Sequence, residues 1–205
     1  MSSASDSAPG PFAPWTFEPI RTERLTLRLM TADDVDDVFA YQSRDDVCRY
    51  LLHGPRSREE VVDMVAKYGA ATTIAADHDW IEPAIELELP DGSRRVIGHM
   101  YLTIASVENR GAEIGWTLHP DFFGKGYAAE AAAATLDLAF DTLGMHRVRA
   151  ELDPRNDASV ALCRRLGMRE EAHFVQDLWF KGEWADTGVY AILASEWEQR
   201  RGDLR

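Results

Sequence analysis

His119-Pro120-Asp121-Phe122-Phe123-Gly124-Lys125-Gly126-Tyr127-Ala128-Ala129-Glu130 is the stretch whose reading organises the rest of this chain. It follows an apolar, strand-like run from Ala112 to Leu118 and opens an alanine-rich helix. A glycine-containing turn that feeds a helix N-terminus points several unpaired N–H groups in one direction. With the positive end of the helix dipole, those groups form an anion site. Strand, turn and helix in this order predict a phosphate-bearing ligand gripped by main chain. Gly124 and Gly126 permit positive φ and close backbone approach. The stretch lacks the third glycine of a dinucleotide fingerprint and the spacing of a nucleotide P-loop.

On the N-terminal side, residues 1–18 are rich in Ser, Ala, Pro and Gly and read as a flexible tail, with Trp15 and Phe17 docking on the domain at its end. Residues 19–205 read as one domain. Arg24 to Met30 alternates Leu25, Leu27 and Leu29 with polar residues, as a half-buried strand does. Thr31 caps a first helix, and Asp33, Asp34, Asp36 and Asp37 read as its solvated face. Ser57 with Glu60 starts a second helix. Pro90-Asp91-Gly92-Ser93 and Asn109-Arg110-Gly111 are turns joining Ala84–Leu89, Arg95–Ser106 and Ala112–Leu118 into a meander.

Beyond the glycine turn, a long helix runs to Leu143, with Ala129, Ala133, Leu136 and Phe140 toward a sheet and Gly144 as its stop. His146 to Leu152 alternates again. Asn156 or Asp157 caps a helix ending at Gly167. Two last strands, Glu171–Phe180 and Asp186–Leu193, are joined by Lys181-Gly182-Glu183-Trp184. The expected order is βααβββαβαββ, an α+β fold.

The chain has 205 residues and a net charge of -13. That balance argues against nucleic acid or an anionic membrane surface as a partner, and leaves room for a cationic substrate. Cys48 and Cys163 are far apart and fit neither a disulfide framework nor a metal site, which suits the reducing cytoplasm. No secretory pattern and no apolar run near the ~20 residues of a spanning helix is visible. His99, His119, His146 and His173 have no metal-ligand spacing, so no metal is expected.

Four segments together resemble the GNAT superfamily of acyl-CoA N-acyltransferases, in the branch of the Rim-type ribosomal-protein N-acetyltransferases. They are Thr22-Glu23-Arg24-Leu25-Thr26-Leu27-Arg28, Glu113-Ile114-Gly115-Trp116-Thr117-Leu118-His119-Pro120, Phe123 to Ala131, and Asn156 to Met168. Gly182-Glu183-Trp184-Ala185-Asp186-Thr187 is a looser fifth match. The resemblance implies a mixed, mostly antiparallel sheet whose central strands splay apart to admit acetyl-CoA, the cosubstrate. It implies pantetheine pairing near Trp116 and Leu118. It implies a pyrophosphate on the N–H groups of Phe123, Gly124, Lys125, Gly126, Tyr127 and Ala128, and cofactor contacts from Asn156 and Cys163. Asp121 stands where the family often has Gln or Arg, and Cys163 where it often has the Tyr that acts as acid.

Acyl transfer to an amine needs an acceptor for the amine's proton and a donor for the departing thiolate. Glu113 is the expected base, and pairing with Arg110 or Arg149 would keep it ionised without making it one. Ser159 is the expected acid by family analogy. Tyr127 and Tyr190 read as packing residues, and Trp80, Trp179, Phe180 and Trp184 read either as core or as walls of the acceptor pocket. The expected activity is direct transfer of acetyl to a primary amine, on a protein N-terminus or a small molecule. The alternative is a non-catalytic acyl-CoA-binding or sensing module. A homodimer is a family-level expectation.

Overall fold

The computed structural model describes residues 12–203. Its strands are β1 (Trp15–Thr16), β2 (Ile20–Arg21), β3 (Leu25–Arg28), β4 (Thr73–Ile74), β5 (Trp80–Ile81), β6 (Ala84–Glu88), β7 (Arg94–Ser106), β8 (Gly111–Leu118), β9 (Arg147–Leu152), β10 (Arg169–Phe180) and β11 (Glu183–Leu193). Its helices are α1 (Val35–Gln42), α2 (Asp45–Cys48), α3 (Arg58–Ala70), α4 (Tyr127–Asp137), α5 (Asp157–Leu166) and α6 (Ala194–Arg200). Setting aside the short β1, β2, β4, β5 and α2, and the terminal α6, the order is the one expected. The main sheet runs β10-β11-β9-β8-β7-β6-β3-β2, with β5 pairing on β7.

Two layers of helix sandwich this sheet. α4 and α5 lie on one face over the larger core, where Leu102, Ile104, Ile114, Leu136 and Val148 are buried. α1 and α3 pack on the other, over a smaller core that includes Met30, Val38, Val61, Met64 and Val96. Local chemistry starts these helices where expected. The Ser57 Oγ accepts from the Glu60 N–H at 3.2 Å, and the Glu60 carboxylate accepts from the Ser57 N–H at 2.7 Å.

Of the tail expected over 1–18, residues 1–11 lie outside the described residues; beyond them, Trp15–Thr16 pair with Thr73–Ile74 and Phe17 is buried, the docking expected of these aromatics. Four expectations need correction. The acid cluster at α1 is not all solvated. Asp34 is buried, and the Arg28 guanidinium donates to both its oxygens, at 2.7 and 2.8 Å. Burial alone would raise the Asp34 pKa, but the Arg28 bonds hold it below the usual range. Asp37 accepts from Arg95 and from the Val96 N–H, tying α1 to β7.

The buried side of α4 is Ala131, Ala132, Thr135 and Leu136 rather than Ala129 and Ala133. An unbroken alanine run offers no contrast in side chain to set a helix's rotation. The helix also ends earlier as α-helix, since Leu138–Thr142 relax into a π turn before Gly144. Finally, the last hairpin closes over two residues: Phe180 faces Glu183, and Lys181 and Gly182 both take positive φ. That is the twist-matched turn of tight hairpins.

Candidate active site

A fork opens in the middle of the sheet. β8 and β9 run parallel and pair only from Gly111–Arg147 to Glu113–Arg149. Beyond that rung β9 stays with β11, while β8 continues to Leu118 along β7 alone. The His119 N–H reaches the Ile97 carbonyl at 2.7 Å, which fixes the alternation. Gly115 and Thr117 turn main-chain groups toward β7, so Ile114, Trp116 and Leu118 turn theirs into the fork. Those groups form a sheet edge inside the molecule, able to pair with an extended, amide-bearing chain.

The edge leads directly to the glycine turn. Gly124 (φ 72°) and Gly126 (φ 82°) are both left-handed, and Gly126 is the N-cap of α4. The N–H groups of Gly124, Lys125, Gly126, Tyr127 and Ala128 have no main-chain acceptor among the described residues. Phe123 departs from expectation, because its N–H is taken by the Pro120 carbonyl at 3.0 Å. The cradle is therefore five amides wide, not six. Lys125 curls back to the Asp121 carbonyl at 3.0 Å and lies over the Phe122 ring.

Arg24 sets the turn in place, a role the sequence alone did not show. Its Nε donates to Glu130 at 2.7 Å, its Nη1 to the Lys125 carbonyl at 2.9 Å, and its guanidinium lies over the Tyr127 ring. The Thr22 hydroxyl and the Arg24 N–H also donate to Glu130. The strand motif and the turn motif are thus one clamp, which the shared presence of Arg24 and Glu130 in motif order could have suggested. A groove lined by Arg24, Gly124, Lys125, Gly126, Ala129 and Ala133 continues the cradle along α4.

Across the fork, Asn156 caps α5 by accepting from the Ser159 N–H at 3.2 Å. The Trp116 Nε1–H donates to the Ser159 Oγ at 3.2 Å, so β8 and α5 are bridged where their strands part. Cys163 is different. It is 0% exposed in the main core, and burial pushes its thiol up to about 12. The cofactor contact expected of Cys163 needs surface that this residue does not present.

The other face of the fork is polar. Register places Thr103 opposite Glu113, Tyr101 opposite Gly115 and His99 opposite Thr117, so these side chains share one face. Trp80 faces Thr103, and the Pro83 carbonyl accepts from the Met100 N–H at 2.9 Å. Glu82 therefore falls beside Tyr101 on this same face. Tyr41 and Tyr68 cover it from α1 and α3: the Tyr41 hydroxyl is 2.9 Å from His99 Nδ1, and the Tyr68 hydroxyl lies beside Glu82. Glu113 is held at the last rung of the fork by Arg149, whose Nη2 and Nε donate to its Oε2 at 2.9 and 3.1 Å.

A strap crosses above this face. The segment after α1 reaches the last hairpin, where Lys181 donates to the Cys48 carbonyl, and reaches the loop before α5, where the Tyr50 hydroxyl donates to the Arg155 carbonyl at 3.1 Å. Trp179 and Trp184 stand outside, 60% and 55% exposed, stacked edge to face at the hairpin. They are neither core nor buried walls. His173 is engaged by Asp186 at 2.7 Å. Among the described residues no cluster has the make-up of a metal site, and no helix is long and apolar enough to cross a membrane.

A parallel pair that opens beside a glycine-turn helix N-terminus offers main-chain groups to an extended, phosphate-bearing ligand. Residues 24–169 match the acetyltransferase (GNAT) domain family, and the chain belongs to that family. It is 31% identical to the uncharacterized N-acetyltransferase YnaD of Bacillus subtilis, over 87% of this chain and 98% of that one. Its fold matches a GNAT-family acetyltransferase from Bacillus anthracis with a TM-score of 0.76, at 31% identity, covering 87% and 99% of the two chains. It also matches, at TM-score 0.68 and 23% identity, the Vibrio cholerae spermidine N-acetyltransferase in complex with CoA and spermine, covering 86% and 99%. The protein is an acetyl-CoA-dependent N-acetyltransferase.

Proposed function

We propose that this enzyme moves the acetyl group of acetyl-CoA directly to a primary amine while both substrates are bound. The observation that carries the reading is the fork itself. It has a main-chain edge and a free-amide cradle on one side, and a face bearing two carboxylates, Glu82 and Glu113, on the other. The Gly124–Ala128 amides fit a diphosphate, and the β8 edge fits the pantetheine arm. Bound there, acetyl-CoA supplies an activated thioester.

The protein's own groups do the rest. Trp116 holds Ser159 as an acceptor, which leaves the Ser159 hydroxyl proton free to be donated toward the leaving sulfur. Asn156 fixes the turn that carries Ser159. Direct transfer fits the thiols: Cys48 and Cys163 are both fully buried and both raised in pKa by burial, so neither is a ready nucleophile. The acceptor we favour is cationic, a polyamine or a peptide N-terminus. The net charge of -13 supports this, as does the substrate in the name of the Vibrio cholerae enzyme.

Thiol release from acetyl-CoA should be followed with spermidine, spermine and peptides with free N-termini. Transfer to at least one of them is expected, with acetyl-CoA binding seen by calorimetry. Tight acetyl-CoA binding without thiol release on any amine would instead identify a sensing module.

A further inference from the structure

We propose that Glu82 is the group that receives the acceptor amine's proton, a role that rests on the amine-acetyltransferase reading above. Glu82, the residue after β5, continues that register into the row Glu82–Tyr101–Gly115, which runs across β7 and β8 and ends at the fork. Gly115 is two residues past the last paired rung. Having no side chain, it leaves only Tyr101 standing over this part of the strand, with the tyrosine Cβ 3.6 Å from where a Gly115 Cβ would be. An amine entering beneath the strap beside Tyr101 meets the carboxylate of Glu82 on one side and the fork on the other.

The environment of Glu82 suits proton acceptance. Its side chain is 12% exposed. Tyr68 is its polar neighbour on α3, and Lys67 and Arg56 act through space. His99, Tyr41 and Tyr101 are the other titratable groups facing it. The nearest ring nitrogen, His99 Nε2, is 3.7 Å away, beyond a hydrogen bond. Burial drives the His99 pKa down to about 3, so the ring is neutral and offers no counter-charge. Burial raises the Glu82 carboxyl to about 8 against the opposing pull of Tyr68, Lys67 and Arg56. A carboxylate poised near neutrality is a matched proton acceptor. Glu113, by contrast, already has its Oε2 engaged by the Arg149 guanidinium.

In the step, the neutral amine's nitrogen forms a C–N bond to the acetyl carbon and the C–S bond breaks. The proton shed by nitrogen passes to Glu82, and the CoA sulfur takes a proton from Ser159, which solvent resupplies. Products are an acetamide and CoA thiol.

Three measurements test this, using the best acceptor of the amine panel. Glu82→Gln should lower kcat by about 100- to 1000-fold, with acetyl-CoA affinity by calorimetry within about threefold. The pH profile of the parent should carry a limb near 8 that Glu82→Gln lacks; a limb from the amine itself appears in both proteins. Tyr68→Phe, which keeps Glu82 but removes the neighbouring hydroxyl that opposes its upward shift, should move that limb to higher pH. The 13C-carboxyl signal that disappears in Glu82→Gln should titrate near 8 in the parent.

Titration in the ordinary carboxylate range overturns the proposal, as does a Glu82→Gln enzyme with kcat within threefold and the same profile. A limb unmoved in Tyr68→Phe overturns it too. If no amine is acetylated by the parent, the amine reading fails separately, and the carboxyl titration still decides whether residue 82 has the required proton affinity.

Discussion

The two faces of the fork are built by opposite means. On the α4–α5 face the groups on offer are backbone: the β8 edge and five amides at the start of α4. On the α1–α3 face they are side chains gathered from β5, β7, α1 and α3. Main-chain donors are placed by local conformation, so two left-handed glycines and a helix start suffice. Side-chain clusters exist only once register and packing bring distant residues together. The first kind of site tolerates almost any side chain around it, whereas the second depends on each residue and on how deeply it is buried.

The largest separation between the faces should come from Gly126→Val. A β-branched residue at φ 82° is strained, and its Cβ would sit 3.3 Å from Arg24 Nη2. Acetyl-CoA affinity should fall by about 100-fold, read by calorimetry, or roughly 2.7 kcal/mol, while the Glu82 titration stays in place. A change under threefold would mean the turn does not form the cradle.

Next comes a stability effect with a definite sign. Glu82 takes up its proton near 8 in the folded protein against an ordinary 4.5. Its contribution to stability is full below 4.5 and is lost as pH rises through 8. Glu82→Gln should therefore exceed the parent by about 2 kcal/mol in denaturant unfolding at about pH 9, and nearly match it at about pH 4. A variant less stable than its parent on the alkaline side would contradict the buried-carboxylate account.

Ser159→Ala should then reduce kcat by about tenfold with acetyl-CoA affinity held within about threefold. Loss of affinity without loss of kcat would make Ser159 only a prop for Trp116. The smallest effect belongs to Arg24→Ala. Losing the bonds to Glu130 and the Lys125 carbonyl should cost about 1 kcal/mol, a fall of about 2–4 °C in Tm. It should also weaken acetyl-CoA binding by about fivefold, because the start of α4 loses its tether. An unchanged melting curve would show that the clamp is ornamental.

The sequence was most legible where chemistry is local. Ser57 with Glu60, Asn156 with Ser159, and the glycines at 124, 126, 144 and 167 marked their boundaries, because each is satisfied within one turn of chain. It was less legible where alternatives were locally equal. The alanines of α4 gave no phase, and Trp179 and Trp184 read as core or pocket wall although they stand at an exposed turn. Glu82 drew no attention in the sequence, since an acid between Ile81 and Pro83 has no periodic or motif signal. Its burial comes from Tyr68 and the β5–β7 pairing, contacts made by residues far along the chain.

The amino-acid order alone determined the element order, the glycine turn and the family, because capping, alternation and positive-φ demands act over a few residues. Tertiary structure decided which carboxylate is buried beside Tyr68 and which is bound by arginine. It also decided that Cys163 is sealed in the core and that Arg24 clamps the cradle. Those outcomes depend on desolvation and on pairing between distant segments, and both take their values only when the sheet has closed its register.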